Sequence, residues 1–229
     1  MSAVRVTNQA VLKMEAGSAM EDTMVADRTK GSAEGEVGPA GAVWTQGGTL
    51  LMEAGAEIRN MVGRAIYADG GSITIGGKIH NIKGDADMWQ GTKGVALHLR
   101  NGAVGSMSAI GEITDIKGSE NAVFATGEAV RFTMEHGSKI HNFANLCGVY
   151  MENSSQLYMD GEISKLSKAV AVSLNDGAAG EIQSKGFIHD NQCATAVVYL
   201  RGGSQLTIRG KINDNESTGN CAAVFVVTN

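Results

Sequence analysis

Short runs of alternating apolar and polar residues recur along the whole chain, separated by clusters of Gly, Asn and Ser. Runs such as "SITI", "QLYM" and "QLTI" precede a glycine, and second runs such as "AIYA", "AVFA" and "GVYM" follow further on. Alternation with a period of two between turn residues is typical of β-strands. Helical periodicity is absent, and glycines at this spacing would interrupt most helices. The pattern therefore predicts an all-β chain.

One apolar residue, which we call the landmark, marks each copy of an internal repeat. It follows a glycine by two or three residues, and most steps between landmarks are 21 to 27 residues long, with two longer steps of 34 and 38. A period of this length with three short strands predicts a parallel β-solenoid of about eight coils, in one domain over residues 1–229. Like strands of successive coils would stack about 4.8 Å apart. The landmarks are Met20, Ile58, Ile79, Ile113, Ile140, Ile163, Ile188 and Ile212.

Three landmarks are followed directly by histidine, namely His80, His141 and His189. Because the landmark points into the core, the next residue points outward. The histidines fall in the third, fifth and seventh coils, so neighbours are about 9.6 Å apart, too far to share one metal ion. We therefore predict a solvated polar row and no metal site.

The position after this polar row is Asn or Asp in seven of eight coils, with Lys165 as the exception. Asn and Asp tolerate left-handed backbone, so this position is predicted to be a turn. Asp190 and Asp214 form the one adjacent acidic pair of the row, and they lack the six to eight oxygens of a calcium site.

The segment "GSKIHNFANLCGVYMENSSQLYMDGEI" resembles the loose repeat of right-handed parallel β-helices in the pectate-lyase-like superfamily, especially its surface-protein and adhesin-like branch. The resemblance covers essentially the whole chain. It implies a right-handed solenoid and a location outside the cell or at the cell surface. Enzymes with this fold act on polysaccharides through clustered carboxylates and basic residues. The chain has none of the motifs "DD", "GHG" or "RIK", so we expect no catalytic residues and no cofactor.

Charge and composition narrow the range of partners. The formal net charge is −5 and basic residues form no run, so nucleic acid and anionic membranes are poor partners. No apolar run approaches the roughly 18 residues of a membrane helix. The start of the chain lacks a signal-peptide pattern, so we expect a cytosolic protein or a mature or excised part of a longer one. The cysteines Cys147, Cys193 and Cys221 are predicted to be small buried thiols.

Two insertions, at residues 24–42 and 83–94, follow the landmark turn of the first and third coils. Insertions in solenoids often form the binding face. The second insertion holds Trp89 between Asp85 and Asp87, and Trp44 follows the first. We predict these four residues as a binding site; the alternative is that the indoles cover the flank of the solenoid.

The two ends of the chain, "AVRVTN" and "VFVVTN", match the same strand of the repeat, and neither carries an evident cap. Open coil ends expose strand edges that pair readily. We therefore predict a non-catalytic structural or adhesive solenoid. It would either associate head to tail into filaments or be an excerpt of a longer β-helix, with glycans or other surface proteins as further partners. The alternative is a polysaccharide-binding or polysaccharide-degrading protein. The predicted self-association residues are Val4, Val6, Val224 and Val226.

Overall fold

The chain forms a solenoid of short strands. The computed structural model describes residues 3–22, 41–84, 94–118, 121–144, 147–193, 195–217 and 222–227. Over these ranges the protein is an all-β, right-handed parallel β-helix with three sheets, and each coil contributes one strand to each sheet. Neighbouring strands are parallel and come from successive coils. The fold class predicted from the repeat is confirmed.

The strands are numbered β1 to β27 in chain order. Sheet A contains β1 (Val4–Thr7), β4 (Val43–Gln46), β7 (Ile66–Asp69), β10 (Leu97–Arg100), β13 (Asn121–Thr126), β16 (Cys147–Glu152), β19 (Val170–Leu174), β23 (Ala196–Arg201) and β27 (Ala222–Val227). Sheet B contains β2 (Val11–Met14), β5 (Thr49–Met52), β8 (Ser72–Ile75), β11 (Val104–Met107), β14 (Arg131–Met134), β17 (Gln156–Met159), β20 (Ala179–Ile182) and β24 (Gln205–Ile208).

Sheet C follows sheet B in every coil. It contains β3 (Ala19–Glu21), β6 (Glu57–Arg59), β9 (Lys78–Lys83), β12 (Glu112–Lys117), β15 (Lys139–Ala144), β18 (Glu162–Ser167), β21 (Phe187–His189) and β25 (Lys211–Asn213). The short strands β22 (Gln192–Cys193) and β26 (Glu216–Ser217) lie off its main path, and β22 pairs with both β18 and β26. Eight coils are therefore complete over all three sheets, and β27 adds a ninth strand to sheet A alone.

The eight landmarks lie beside one another in sheet C, each being the Cα partner of the next. The six inner ones are fully buried, whereas Met20 and Ile212, at the two ends of the stack, are partly buried. The repeat register predicted from the sequence is confirmed at every copy. It also explains the burial, because each landmark is covered by the equivalent side chains of the coils on either side.

Sheet B lines the core with a second row of long apolar side chains, and the row accommodates local changes in size. At Gly105 a Cβ would lie 2.7 Å from Leu99 Cδ1 and 3.3 Å from Phe132 Cδ2. The missing side chain in the fourth coil therefore makes room for the large ring in the fifth. The end of each sheet B strand contributes a flexible or branched side chain, which fills gaps in the stack: Met14, Met52, Ile75, Met107, Met134, Met159, Ile182 and Ile208.

The predicted turn position in sheet C is left-handed in every coil, with φ between 52° and 58°. Lys165 adopts φ 56° although it has neither the short side chain of Asn nor that of Asp. The position therefore requires this backbone whatever residue occupies it, and the turn prediction is confirmed. The residues are Asp22, Asn60, Asn81, Asp115, Asn142, Lys165, Asp190 and Asp214.

One residue after this turn, the core changes from apolar to polar between the sixth and seventh coils. Leu166 is buried in the sixth coil, but Asn191 takes the equivalent place in the seventh and is fully buried. Its Oδ1 accepts from the Leu166 backbone N at 3.0 Å, and its Nδ2 donates to Asn215 Oδ1 at 2.9 Å. Asn215 in turn donates to the Ile188 carbonyl at 3.1 Å. This short amide ladder satisfies backbone groups at the turn, as buried polar side chains must.

Two further expectations concern the cysteines and membrane spans. Cys147 and Cys193 are buried, as predicted, while Cys221 lies outside the described residues. Burial raises the pKa of the Cys147 thiol to about 12, so it stays protonated at neutral pH. Across the described ranges, no helix has the length and apolar character needed to cross a membrane.

Candidate functional site

Most of the predicted binding loop falls outside the described residues. Trp89, Asp85 and Asp87 lie within 85–93, and most of the first insertion lies within 23–40, so their predicted role stays a prediction. Trp44 is described and lies in strand β4. The guanidinium carbon of Arg5 lies 4.0 Å from the centroid of its ring, and its Nε1 is buried with no hydrogen-bond partner among the described residues. One face of this indole is therefore already occupied by the neighbouring coil.

Trp44 belongs to an outward row on sheet A that the sequence analysis did not identify. The rings of Phe124 and Tyr150 stack at 5.4 Å, and those of Tyr199 and Phe225 at 5.9 Å, with interplanar angles of 11° and 16°. Because the stacked rings turn their faces toward each other, mainly their edges point outward. The row, in coil order, is Arg5, Trp44, Tyr67, His98, Phe124, Tyr150, Ser173, Tyr199 and Phe225.

His98 is the one histidine of this aromatic row, and its side chain is buried. Its ring meets Tyr67 at 4.9 Å and Phe124 at 4.8 Å, both edge to face. Burial, followed by the nearby charges of Arg64 and Arg100, holds the pKa of His98 well below its ordinary value. The imidazole is therefore neutral at pH 7, and its Nδ1 has no hydrogen-bond partner among the described residues.

Sheet C carries two outward rows, one on each side of the landmark, and they bind each other diagonally. Each histidine of the predicted polar row approaches a glutamate of the preceding coil. Nε2 of His80, His141 and His189 lies 3.4, 2.9 and 3.3 Å from a carboxylate oxygen of Glu57, Glu112 and Glu162, respectively. The arrangement repeats every second coil, as the histidines do.

Lysines of the odd coils complete this ionic network. Lys78 lies 3.0 Å from Glu112 and Lys139 lies 3.4 Å from Glu162, in each case in the following coil. In the seventh coil Phe187 takes the place of lysine and stacks on His189 with ring centroids 3.9 Å apart. Positive and negative side chains therefore alternate along the stack and largely neutralise one another.

The glutamates respond to these partners. A hydrogen bond from His80 is the main cause that lowers the pKa of Glu57. Burial by itself would raise the pKa of Glu112, but hydrogen bonds from Lys78 and His141 lower it overall. Glu162 follows the same pattern: burial acts upward, while Ser164 and Lys139 lower its pKa. All three carboxylates are stabilised in their charged form.

The prediction of a solvated row at the histidines is wrong in one respect. The side chains of His80, His141 and His189 are only 24%, 18% and 17% exposed, and Thr114 and Ser164 between them are buried. Side chains in adjacent coils cover one another, which the outward direction alone did not indicate.

Within the described ranges, no group of three or more His, Cys, Asp or Glu side chains could hold a metal ion. Asp190 bonds to His189 and Asp214 to Asn213, so their carboxylates do not converge.

A shallow depression of about 390 Å³ lies at the corner between sheets B and C. It forms because the corner at Asp160 and Gly161 is short, whereas those of the neighbouring coils are longer. At Gly161 a Cβ would lie 2.3 Å from Ser138 Oγ, so this corner fits closely beneath the previous one. The depression is lined by Thr133, Met134, Glu135, His136, Tyr158, Asp160 and Gln183.

The final coil exposes side chains that are core residues elsewhere in the stack. Val224 and Val226 are 37% and 59% exposed, and Ile208 of the eighth coil is 42% exposed. At the opposite end Val6 is buried and Val4 is partly buried. The predicted self-association residues therefore differ: the C-terminal pair is open and the N-terminal pair is largely covered.

These features define the chain as a parallel β-solenoid whose outward side chains bind one another along the stack. Comparison with family models, with curated proteins and with solved structures gave no match.

Proposed function

We propose that this chain is a non-catalytic structural or adhesive solenoid that associates end to end, outside the cell or at the cell surface. The location and the assignment to the surface-protein branch of the pectate-lyase-like superfamily belong to the same proposal and rest on the repeat pattern. End-to-end association includes the case in which the neighbouring coils belong to a longer β-helix.

The observation that carries the proposal is the open apolar end of the stack, formed by the eighth coil and β27. Ile208, Val224 and Val226 stand at positions that are buried or nearly buried in the preceding coils, where the next coil covers them. An exposed row of this kind, beside strand edges, favours pairing with another coil.

The outer rows support a structural role in a second way. The aromatic faces on sheet A and the charges on sheet C are occupied by partners in adjacent coils. Side chains used in this way stabilise the stack and leave few groups free to bind or convert a substrate.

The test is the size distribution of the purified chain as concentration rises, measured by sedimentation velocity and electron microscopy. We expect head-to-tail multimers, and we expect Ile208→Lys to prevent them because a charge would enter the new interface. Ile208 is already exposed, so the fold should tolerate lysine. Thr74→Lys, which adds the same charge to the flank of sheet B, is the matched control and should leave assembly unchanged. Monomers at every concentration, both for the wild-type chain and for a Phe225→Ala variant that loosens the last strand of sheet A, would contradict the proposal.

A polysaccharide-binding or polysaccharide-degrading protein is the second candidate, and the depression between sheets B and C favours it. Tyr158 is 39% exposed there, beside the carboxylates of Glu135 and Asp160. An aromatic ring with nearby carboxylates is a suitable surface for a sugar. A glycan array, together with cleavage assays on polygalacturonate, tests this candidate. Binding or cleavage that Tyr158→Ala abolishes would establish it over the structural role.

A further inference from the structure

The ninth strand of sheet A stands where a second copy of the chain would place its first strand. Within the described ranges sheet A has nine strands and sheet B has eight, so β27 lies beyond the last strands of sheets B and C. Strands β24 and β25 are the outermost of their sheets among the described residues. A second copy that covered β24 and β25 with its own β2 and β3 would bring its β1 to the edge of β23. That edge is occupied by β27.

The first coil is complementary to the eighth coil in its inward residues. Continuing the observed register places Leu12 of the second copy over Leu206, Met14 over Ile208 and Met20 over Ile212. These are the same apolar rows that fill the core within one chain. The three partly covered or exposed side chains at this end would then be buried as their equivalents are in earlier coils.

Charges at the two ends match as well. In the same register Glu15 of the second copy would stand beside Arg209, since each directly follows the last residue of its sheet B strand. Glu21 would lie diagonally across from Lys211, in the relation that joins His189 to Glu162 within the chain. Opposite charges at both points favour this partner over an unrelated apolar surface.

Strand β27 is an edge strand of sheet A at the open end of the stack. Its hydrogen-bonded partner within the described ranges is β23 alone. Among the described residues, no sheet B or sheet C strand of a ninth coil lies beneath its inward side chains Val224 and Val226, which accounts for their exposure. The corresponding Val6 of β1 is buried. A strand paired on one edge over an incomplete core is expected to open readily.

We propose that β27 is a displaceable blocking strand: a second copy docks its first coil on β24 and β25 and takes the place of β27 against β23. The proposal rests on the end-to-end association proposed above and specifies its partner and its regulation. In the docked state Val4 and Val6 contact Val198 and Leu200, while Val224 and Val226 leave the interface. Arg5 then covers the ring of Tyr199 as it covers Trp44 within its own chain.

A reversible crosslink between β23 and β27 tests the displacement. Tyr199 and Phe225 are Cα partners in parallel strands, so a Tyr199→Cys, Phe225→Cys double variant can form a disulfide at ordinary Cα separation. We expect loss of multimers when the disulfide is formed and their return on reduction. A Thr126→Cys, Glu152→Cys pair crosslinks β13 to β16 in the middle of the sheet and should not affect assembly. Both are made with Cys221→Ser, and multimers are measured by sedimentation velocity.

A second variant, Phe225→Ala, separates displacement from simple addition. It removes the stack on Tyr199 and loosens β27, so displacement predicts faster assembly than in the wild-type chain. Addition of a second copy onto β27 predicts slower assembly, because an apolar contact is lost. Assembly that is unaffected by the oxidised crosslink, or slowed by Phe225→Ala, overturns the displacement and leaves end-to-end association standing. If the Phe225→Ala variant assembles and the wild-type chain does not, β27 blocks assembly of the wild-type chain completely. Monomers in both the wild type and Phe225→Ala overturn both proposals.

Discussion

The outer faces of sheets A and C both stack equivalent side chains of successive coils, but the side chains differ in their chemistry. Both carry side chains in file along the stack, about one strand spacing apart. On sheet A the contacts join direct Cα partners, as between Phe124 and Tyr150, and are made mostly by rings. On sheet C they are ionic and join both Cα partners, as between Lys78 and Glu112, and diagonal neighbours, as between Glu112 and His141. Ring stacking depends little on salt, whereas exposed ion pairs are screened. The two faces should therefore stabilise the solenoid under different conditions.

The largest expected effect comes from interrupting the aromatic row. Phe124→Ala removes the ring contacts with both His98 and Tyr150. For a half-buried phenylalanine with two aromatic neighbours we expect a loss of about 2–3 kcal/mol in the free energy of unfolding, measured with denaturant. Tyr158→Ala on sheet B, where no stacked ring is found among the described residues, is the control and should cost less than about 1 kcal/mol. Equal losses at the two sites would show that the stack adds nothing beyond burial.

The next effect concerns pH and comes from His98, the one imidazole of the aromatic row. Because the pKa of His98 is lowered on folding, the unfolded chain binds a proton below pH about 6.5 that the folded chain does not. Stability should therefore fall as pH decreases from 6.5, by at most about 1.4 kcal/mol per pH unit from this group. His98→Phe keeps an aromatic ring and should flatten this part of the profile, followed by denaturant unfolding. His141→Asn is the matched control, and an equal flattening there would contradict the assignment to His98.

The ionic face should respond to acid in a lower range. The pKa values of Glu112 and Glu162 are lowered on folding from an ordinary value of 4.5. Their contribution to the free energy of unfolding is therefore fully present above pH about 4.5, and it is lost as the pH falls through the lowered pKa values. Glu112→Gln combined with Glu162→Gln should cost about 1 kcal/mol at neutral pH, discounted for exposure, and should reduce the acid sensitivity. The same double change at Glu128 and Glu135, which lie in turns, is the control; acid profiles altered equally by both pairs would contradict the interpretation.

The contrast between the faces also explains what the sequence predicted and what it did not. The landmark Ile and the left-handed Asn or Asp recur at fixed positions of the repeat. The residue type at each position was therefore enough to predict burial of the landmark and the turn that follows it. The aromatic row was missed because Arg5, His98 and Ser173 interrupt its composition, and its members become neighbours only when the sheet A strands are aligned. The glutamates were missed for a related reason. Glu57, Glu112 and Glu162 directly precede a landmark, and they meet the histidines only along a diagonal between coils.

Burial was the property that the sequence determined least. The outward direction of Thr114 and His141 followed correctly from period two, but their low exposure depends on the length of side chains in adjacent coils. The same holds for His98, which lies between the rings of Tyr67 and Phe124. A repeat pattern predicts which side chains share a face, and the exposure of each then depends on its neighbours above and below.

The smallest expected effect comes from Phe187, an aromatic residue at the position of sheet C where the third and fifth coils have lysine. Phe187→Lys would restore in the seventh coil the lysine found in the third and fifth, beside its Cα partner Glu162. The change removes the stack on His189 and adds an exposed ion pair. These terms nearly cancel, so we expect a change within about 0.5 kcal/mol in the free energy of unfolding at low salt.

Salt separates the two terms, because screening at about 1 M salt weakens the new ion pair while a lost ring contact stays lost. The Phe187→Lys chain should therefore become less stable relative to wild type as salt rises, measured by denaturant unfolding at both concentrations. Phe187→Met, which loses the ring without gaining a charge, is the control and should show a salt-independent difference. If both variants respond to salt alike, the alternating charges of sheet C do not act as pairs between coils, and the distinction between the two faces is lost at this position.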